Sequence, residues 1–288
     1  MTSLPIFSIV IPTYRRPERL AACLQSLAAL DYPRDRFEVI VLDDGSGAPA
    51  AARSAPLELT VMTQPHAGPA TARNSGAARA RGDYLAFTDD DCMAEAGWLR
   101  GLAARFADAP DHAIGGRTLN ALPDNPYSSA TQLLLDFLYD WSVKSGSGTF
   151  IASNNLAVPT GLFWARGGFD TGFPLAAGED REFCDRWARL GGRLTYAPDA
   201  VVRHGHHLTL RGYWHQHVNY GRGALRFHRL RAKVAGERRT GTPFSFYVSL
   251  VTYPLTSTAG TRRLSLTALL ALAQIATATG YWREGWRR

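Results

Sequence analysis

Three consecutive carboxylates, Asp89-Asp90-Asp91, follow directly on the apolar run Tyr84-Leu85-Ala86-Phe87 and Thr88. The run has the length and character of a buried strand, so the carboxylates arrive together where a strand leaves its sheet. In open α/β sheets, ligands bind at that end of the strands. Three adjacent negative charges repel one another, and a hard divalent cation is their natural counter-charge. Taken alone, the triplet reads more readily as a solvated turn capping the helix near Glu95. A second pair, Asp43-Asp44, closes the apolar run 37–42 and leads into Gly45-Ser46. Asp-Gly is ordinary turn chemistry, but at a strand end beside another acidic cluster it points to binding.

Asp180 stands out for a different reason. On a helix starting near Glu179 it shares a face with Phe183, Cys184 and Trp187, at spacings of three, four and seven. Glu182, Asp185, Arg186 and Arg189 are expected to point elsewhere. A carboxylate in line with a buried stripe is partly desolvated, which raises its pKa and makes it a better base. The plain alternative is an acidic residue stabilising a helix N-terminus.

The elements that must hold these groups alternate. Strands are expected over 7–11, 37–42, 57–62 and 84–88, with helices over 17–30, 71–81 and 98–106. That alternation implies an α/β fold with a parallel sheet and crossover helices. Beyond residue 120 the pattern loosens. Helices are expected over 127–141 and 179–190, and a Gly/Ser loop over 144–148 is free to move over a site. Further strands are expected over 150–158, interrupted by Asn154-Asn155, and over 193–196 and 200–203. The domain division is placed at 1–207 and 208–288.

Composition is that of a folded soluble protein: 45% apolar and 20% charged residues over 288 positions. Three distant cysteines, Cys23, Cys92 and Cys184, lack metal-ligand spacing and are expected to be reduced thiols of a cytoplasmic protein. No signal-peptide pattern is expected at the N-terminus. The net charge of +7 is concentrated: residues 203–288 hold 14 Lys and Arg against only Glu237 and Glu284. On a helix over 209–233, Arg211, His215, Arg222, Arg226, Arg229 and Lys233 fall within an arc of about 60°. Such a face suits an anionic membrane surface, giving a peripheral location, although a merely solvated face has the same pattern. The uncharged stretch 264–281 reaches the lower length for a membrane span, but its Thr, Ser and Gln favour a helix on the protein or in the lipid interface.

Several pieces taken together resemble the family-2 inverting glycosyltransferases of GT-A fold. They are Ser8-Ile9-Val10-Ile11-Pro12-Thr13-Tyr14, Val41-Leu42-Asp43-Asp44-Gly45-Ser46, Ala72-Arg73-Asn74, Phe87-Thr88-Asp89-Asp90-Asp91, Gly168-Phe169-Asp170 and Gly178-Glu179-Asp180. The resemblance implies a Rossmann-like, mostly parallel sheet flanked by helices, here with a helical C-terminal extension. It implies a nucleotide-diphosphate sugar donor, with a UDP-sugar favoured, a hydroxyl acceptor on lipid or saccharide, and Mn2+ or Mg2+. By position, Pro12, Thr13 and Tyr14 would line the nucleoside pocket, Asp44 would bond the base, Arg73 would support the nucleotide and Asp90 would lie near the ribose. Asp91 would be the principal metal contact with Asp89 assisting. His204 would be a further ligand, with His206 its competitor, and Asp180 would be the base. Asn154, Asn155, Asp170 and Glu179 are weaker candidates for contacts to donor or acceptor sugar.

Two other readings share parts of this pattern. A nucleotidyltransferase also uses acidic metal sites on a sheet, but no Gly-rich, Lys-containing phosphate loop follows the first strand. A non-catalytic nucleic-acid module would use the basic helix, yet its aromatic residues lie opposite the arginines and fit a core-facing stripe better.

Overall fold

The computed structural model describes residues 4–47, 57–145, 150–235, 243–258 and 260–286. The chain forms two compact units: Met1–Ala121, Gly148–Pro174 and Glu179–Gly205 in one, and Leu122–Ser147, Leu175–Gly178 and His206–Arg288 in the other. Residues 122–147 and 175–178, which a division at 207 gives to the first domain, therefore group with the second.

The first unit is built on one sheet, eight-stranded among the described residues, in the order β3-β2-β1-β4-β7-β6-β8-β5. The strands are β1 (Phe7–Thr13), β2 (Phe37–Asp43), β3 (Leu59–Thr63), β4 (Tyr84–Thr88), β5 (Cys92–Ala94), β6 (Ala113–Asn120), β7 (Asn155–Pro159) and β8 (Leu194–His204). β3, β2, β1 and β4 are mutually parallel, whereas β7 runs antiparallel to both β4 and β6. The sheet is thus mixed, with its parallel half supplied by the clean strand–helix alternation of the N-terminal half. Helices α1 (Pro17–Ala28), α2 (Pro69–Ala77), α3 (Trp98–Asp108), α5 (Thr160–Ala165) and α6 (Glu179–Arg189) complete this unit.

Covering both faces explains why β1 and β2 read as apolar runs without alternation, interrupted at Ser8 and Glu38. Phe7, Ile9 and Ile11 pack with Leu20, Leu24 and Leu27 of α1 and with Trp98 and Phe106 of α3. Val10 faces the other side, with Phe87, Phe163, Phe169, Phe183 and Trp187. Each such side chain contributes about 1.5–3 kcal/mol by leaving water. Ser8, a buried hydroxyl in β1, stands opposite Glu38 in register and donates to it at 2.7 Å.

The second unit holds α4 (Pro126–Ser145), α7 (Leu210–Ala235), α8 (Phe244–Ser257) and α9 (Arg262–Trp286). Their shared core includes Ala130, Phe137, Tyr213, Leu250, Leu266, Leu270 and Ala273. α7 and α9 meet backbone to backbone: a Cβ on Gly221 would lie 1.9 Å from the Thr277 carbonyl oxygen, and one on Gly280 1.9 Å from that of Val218.

Several expectations need correction. The stretch 150–158 is a strand only from Asn155, because 150–154 turn through the Asn155 N–H to Ala152 carbonyl bond. The two short strands of 193–203 are one, β8, whose irregularity lies opposite Gly116 and Arg117. β5, β6, α5 and α8 were not expected. Three residues carry no period, and the Gly-Gly of β6 masks its alternation. The loop expected over 144–148 is helical at its start, and its remainder lies outside the described residues.

His217 of α7 is fully buried and neither ring nitrogen has a hydrogen-bond partner. Burial pushes its pKa down to about 4, below the ordinary value of 6.5. The unfolded chain therefore binds the extra proton first, and stability present above about pH 6.5 is lost as pH falls towards 4. The loss is on the order of 3 kcal/mol. Urea unfolding followed across this window should show that slope, and His217→Leu should flatten it.

Candidate active site

The carboxyl ends of β1, β2 and β4 converge, and their neighbours fix each acidic group in turn. The Cys92 N–H donates to the Asp89 carbonyl at 3.1 Å, closing the tight turn that gathers Asp89, Asp90 and Asp91. β5 then pairs antiparallel with β8, setting Cys92 opposite His204, and the Gly205 N–H donates to the Asp91 carbonyl at 2.7 Å. That register brings His204 Nε2 to 3.2 Å from Asp91 Oδ1, across more than a hundred residues of chain.

Each carboxylate has a cation beside it. Arg16 NH1 lies 3.2 Å from both Asp90 Oδ1 and Asp91 Oδ2, and Arg19 NH1 lies 3.3 Å from Asp91 Oδ2. Thr13 Oγ1 donates to Asp90 Oδ2 at 2.7 Å, joining the ends of β1 and β4. Burial, opposed by Arg16 and assisted by Asp91, pushes the Asp90 carboxyl up to about 6. Burial pushes the His204 imidazole down, but the hydrogen bond and charge of Asp91 outweigh it, so the net direction is up.

Arg73 is the deepest of these cations. It is 3% exposed, its NH2 contacts Asp89 Oδ1 at 2.6 Å and its NH1 contacts Glu179 Oε1 at 3.1 Å. The first turn of α6 thereby comes beside the acidic cluster, bringing Asp180 with it. Asp180 is half-buried, and its Oδ1 accepts from the Arg181 N–H at 2.8 Å. Burial pushes its carboxyl up, against that hydrogen bond and the charge of Arg73. Glu179 is also pushed up, by burial and then by Asp180.

The nucleoside-side candidates are arranged around a turn. Asp44 is buried; Oδ1 accepts from Gln64 Nε2 at 2.7 Å and the Ala67 N–H at 2.9 Å, while Oδ2 accepts from the Gly68 N–H at 2.8 Å. His66 Nδ1 lies 2.9 Å from the same Oδ2, and its ring stacks on Tyr14 with centroids 4.3 Å apart. These contacts fill the carboxylate's acceptor capacity, so a nucleoside base would take the place of one donor. The half-exposed His66 is the most readily exchanged. Pro12 lies at the end of β1, half-buried.

Three weaker candidates make contacts within the fold. Asn155 is buried: its Oδ1 accepts from Trp98 Nε1 at 2.9 Å, and its Nδ2 donates to the Arg117 and Ala200 carbonyls at 3.1 and 3.0 Å. It is a clamp between β6, β7 and β8, with no donor left for a sugar. Asn154 is buried beside Thr118, whose hydroxyl lies 3.4 Å from its Oδ1. Asp170 accepts from the Gly172 N–H at 2.8 Å, fixing its own turn. Glu182, expected to point outward, is buried because Arg186 wraps it at 2.8 Å while also donating to the Gly168 carbonyl. The expectations contained neither Arg16 nor Arg19. Their signal was two arginines, three apart, opening the helix that follows the strand beside β4.

The donor set suits a hard or borderline divalent cation. Asp91, His204 and Cys92 each offer a ligand atom, all within 4.8 Å of one another. Burial pushes the Cys92 thiol well up, so it stays protonated and leaves carboxylate and imidazole as the donors. Nearby, Thr88 Oγ1, Glu179 Oε2, Asp43 Oδ2 and Arg73 Nε are buried without hydrogen-bond partners. Unsatisfied groups of this kind mark a place completed by a polar ligand or water.

Residues 8–166 match the model of glycosyl transferase family 2. The chain belongs to that family. Over 226 residues, 75% of its length, it is 30% identical to the pre-mycofactocin glycosyltransferase of Mycobacterium tuberculosis. It is 30% identical over 230 residues, 68% of its length, to a validoxylamine A glucosyltransferase of Streptomyces hygroscopicus. These alignments cover 46% and 54% of the two relatives, so this family-2 chain spans about half their length. Among solved structures, a mannosyltransferase of Pyrobaculum calidifontis in complex with GDP-Man and Mn2+ superposes with a TM-score of 0.69 at 20% identity. That match covers 100% of this chain and 89% of the other. A fragment of S. aureus TarS in complex with UDP superposes at 0.53 with 18% identity, covering 97% and 92%. The fold is therefore GT-A, with a C-terminal helical extension.

Arg73→Met would leave the buried Glu179, and the half-buried Asp89, without their cation. Breaking a buried pair from one side costs about 3–5 kcal/mol. A urea midpoint at pH 7 should fall accordingly, and Arg73→Lys should recover only part because an ammonium lacks the two-pronged fork.

Proposed function

We propose that this protein transfers a sugar from a nucleotide-diphosphate donor to an acceptor hydroxyl in one metal-assisted displacement, inverting the anomeric centre. The observation that carries this reading is the placement of Asp180. Arg73 and Glu179 hold the turn bearing it beside Asp89, within reach of each other's charge. A base and an acidic, cation-suited cluster share one end of the sheet.

Asp91 and His204 would hold Mn2+ or Mg2+, with Asp89 assisting directly or through water. When bound, the cation neutralises the charge growing on the departing diphosphate without a proton donor. Tyr14, His66 and the Asp44 turn offer a ring and a carboxylate to the nucleoside. Thr13 links that turn to the cluster, accepting from the Asp44 N–H and donating to Asp90, where a ribose would sit. Asp180, its carboxyl raised by burial, takes the proton of the acceptor hydroxyl as that oxygen attacks the anomeric carbon and the diphosphate leaves. Support for a nucleotide-sugar donor comes from family membership and from the nucleotides bound to the two structural neighbours.

A panel of nucleotide sugars with Mn2+ or Mg2+ tests the reading, by release of nucleoside diphosphate. Release of pyrophosphate instead, or no turnover with any donor and acceptor tried, would count against it. Asp180→Asn should bind donor as the parent does, by calorimetry, while transfer drops by about 10²–10⁴. His204→Gln should weaken Mn2+ binding tenfold or more, about 1.4 kcal/mol, read by the paramagnetic signal of free Mn2+.

A further inference from the structure

We propose that the outer face of α8 and α9 seats this protein on an anionic lipid bilayer, lying in the headgroup layer without crossing it. The surface differs from the basic face of α7 expected for that contact.

α9 has two apolar faces. Leu266, Leu270, Ala273, Ala276 and Gly280 are buried with Glu284 on one stripe. At 100° per residue, Leu264, Ile275, Trp282 and Trp286 fall in an arc of about 40° directly opposite. They are 68%, 59%, 67% and 85% exposed. Ala268, Ala271 and Ala278 fill the intervening outward positions. α8 carries no charged residue at all, and Phe244, Tyr247, Val248 and Leu255 share its exposed side. Exposed apolar surface gathered in this way marks an interaction site, whereas scattered single residues need no explanation.

The charge pattern selects the occupant. Arg262, Arg263 and Arg283 are exposed on α9. Within 243–286 the only acidic residue is Glu284, which is buried and accepts from Arg222 Nε and Arg226 Nε at 3.0 Å each. The outward face therefore combines aromatic rings, aliphatic groups and guanidinium with no acidic group. Two copies of such a face repel, while anionic headgroups complement it, and Trp favours the membrane–water boundary. A recess of ≈ 480 Å³ lined by Ile275, Ala278, Thr279, Trp282, Arg283 and Trp286 sets one guanidinium beside an apolar floor, as a lipid with an anionic headgroup requires.

Crossing is disfavoured by length and by attachment. By length and composition α9 alone among the described helices passes as a membrane span. Its other face, however, is fixed to α7 by the approaches of Gly221 to Thr277 and of Gly280 to Val218, and by the two arginines on Glu284. α8, at 14 residues, is about 21 Å long, short of a hydrocarbon core of about 30 Å. The same ion pairs remove Arg222 and Arg226 from the outward face of α7.

The test is sedimentation of the full chain with phosphatidylcholine vesicles, with and without phosphatidylglycerol, at low and high salt. Binding is expected to the mixed vesicles, weakened by salt, with tryptophan emission quenched by brominated acyl chains. Trp282→Ser with Trp286→Ser should reduce that binding at least about tenfold. Arg211→Gln with Lys233→Gln should change it far less. Both variants alter exposed positions, and circular dichroism checks that they fold. Three results would overturn the proposal: no binding to mixed vesicles, equal binding by the tryptophan variant, or equal binding to neutral vesicles. A concentration-dependent dimer abolished by the tryptophan substitutions would equally overturn it, in favour of a second copy of this chain. Sugar transfer by the soluble protein is read separately, so either conclusion can fail alone.

Discussion

The Arg73 guanidinium holds the site together. Burial alone would push its charge off, but Asp89 and Glu179 oppose this and the net direction is up. Taking a charge out of water costs several kcal/mol, so the cation and its two carboxylates stand or fall together. The geometry is equally constraining. A planar fork with one nitrogen on Asp89 and another on Glu179 fixes the spacing between β4 and α6, and with it the distance from the metal-suited acids to Asp180. A more flexible cation would satisfy the charge without fixing the spacing.

The other cations have a different character. Arg16 is 48% exposed at its side chain and Arg19 31%, against 3% for Arg73. Pairs with one partner in solvent are worth about 0–1 kcal/mol, since water competes for both ends. Arg73 is therefore a permanent counter-ion, while Arg16 and Arg19 are exchangeable ones that keep Asp90 and Asp91 tolerable in the ligand-free protein. In the proposed reaction a divalent cation competes with them for the same oxygens. Arg16 and Arg19, at the start of α1 where backbone N–H groups also favour anions, would then be released to meet an anionic ligand.

What was legible in the sequence was local. The Asp triplet and Asp43-Asp44 stand at strand ends because an apolar run precedes each, and the stripe on α6 follows from spacing alone. The His204–Asp91 contact depends on a three-residue strand pairing across the chain, which has no periodic signature. Asn155 looked available because it broke an apolar run, yet the break begins the strand and three groups on its neighbours satisfy the amide. Glu182 looked solvated by helical angle, but a long Arg186 side chain covers it. Arginine partners of this reach escape any argument from spacing. They join elements distant in sequence, as Arg73 does across 106 residues to Glu179.

The C-terminal helices show the same limit from the opposite direction. The basic arc of α7 is real as an angle, but an angle does not say what lies opposite it. Gly221 and Gly280 allow α7 and α9 to approach backbone to backbone, and at that distance Arg222 and Arg226 reach the single buried carboxylate of α9. With a bulkier residue at either glycine the helices would stand apart and Glu284 would face its arginines across a gap. Close packing thus draws two of the six residues of that arc onto Glu284, while Arg211, His215, Arg229 and Lys233 stay exposed. It also leaves α9, apolar on both sides, with a second face that no residue described here covers. A helix apolar on both sides gains by burying both, and among the described residues only the first is covered.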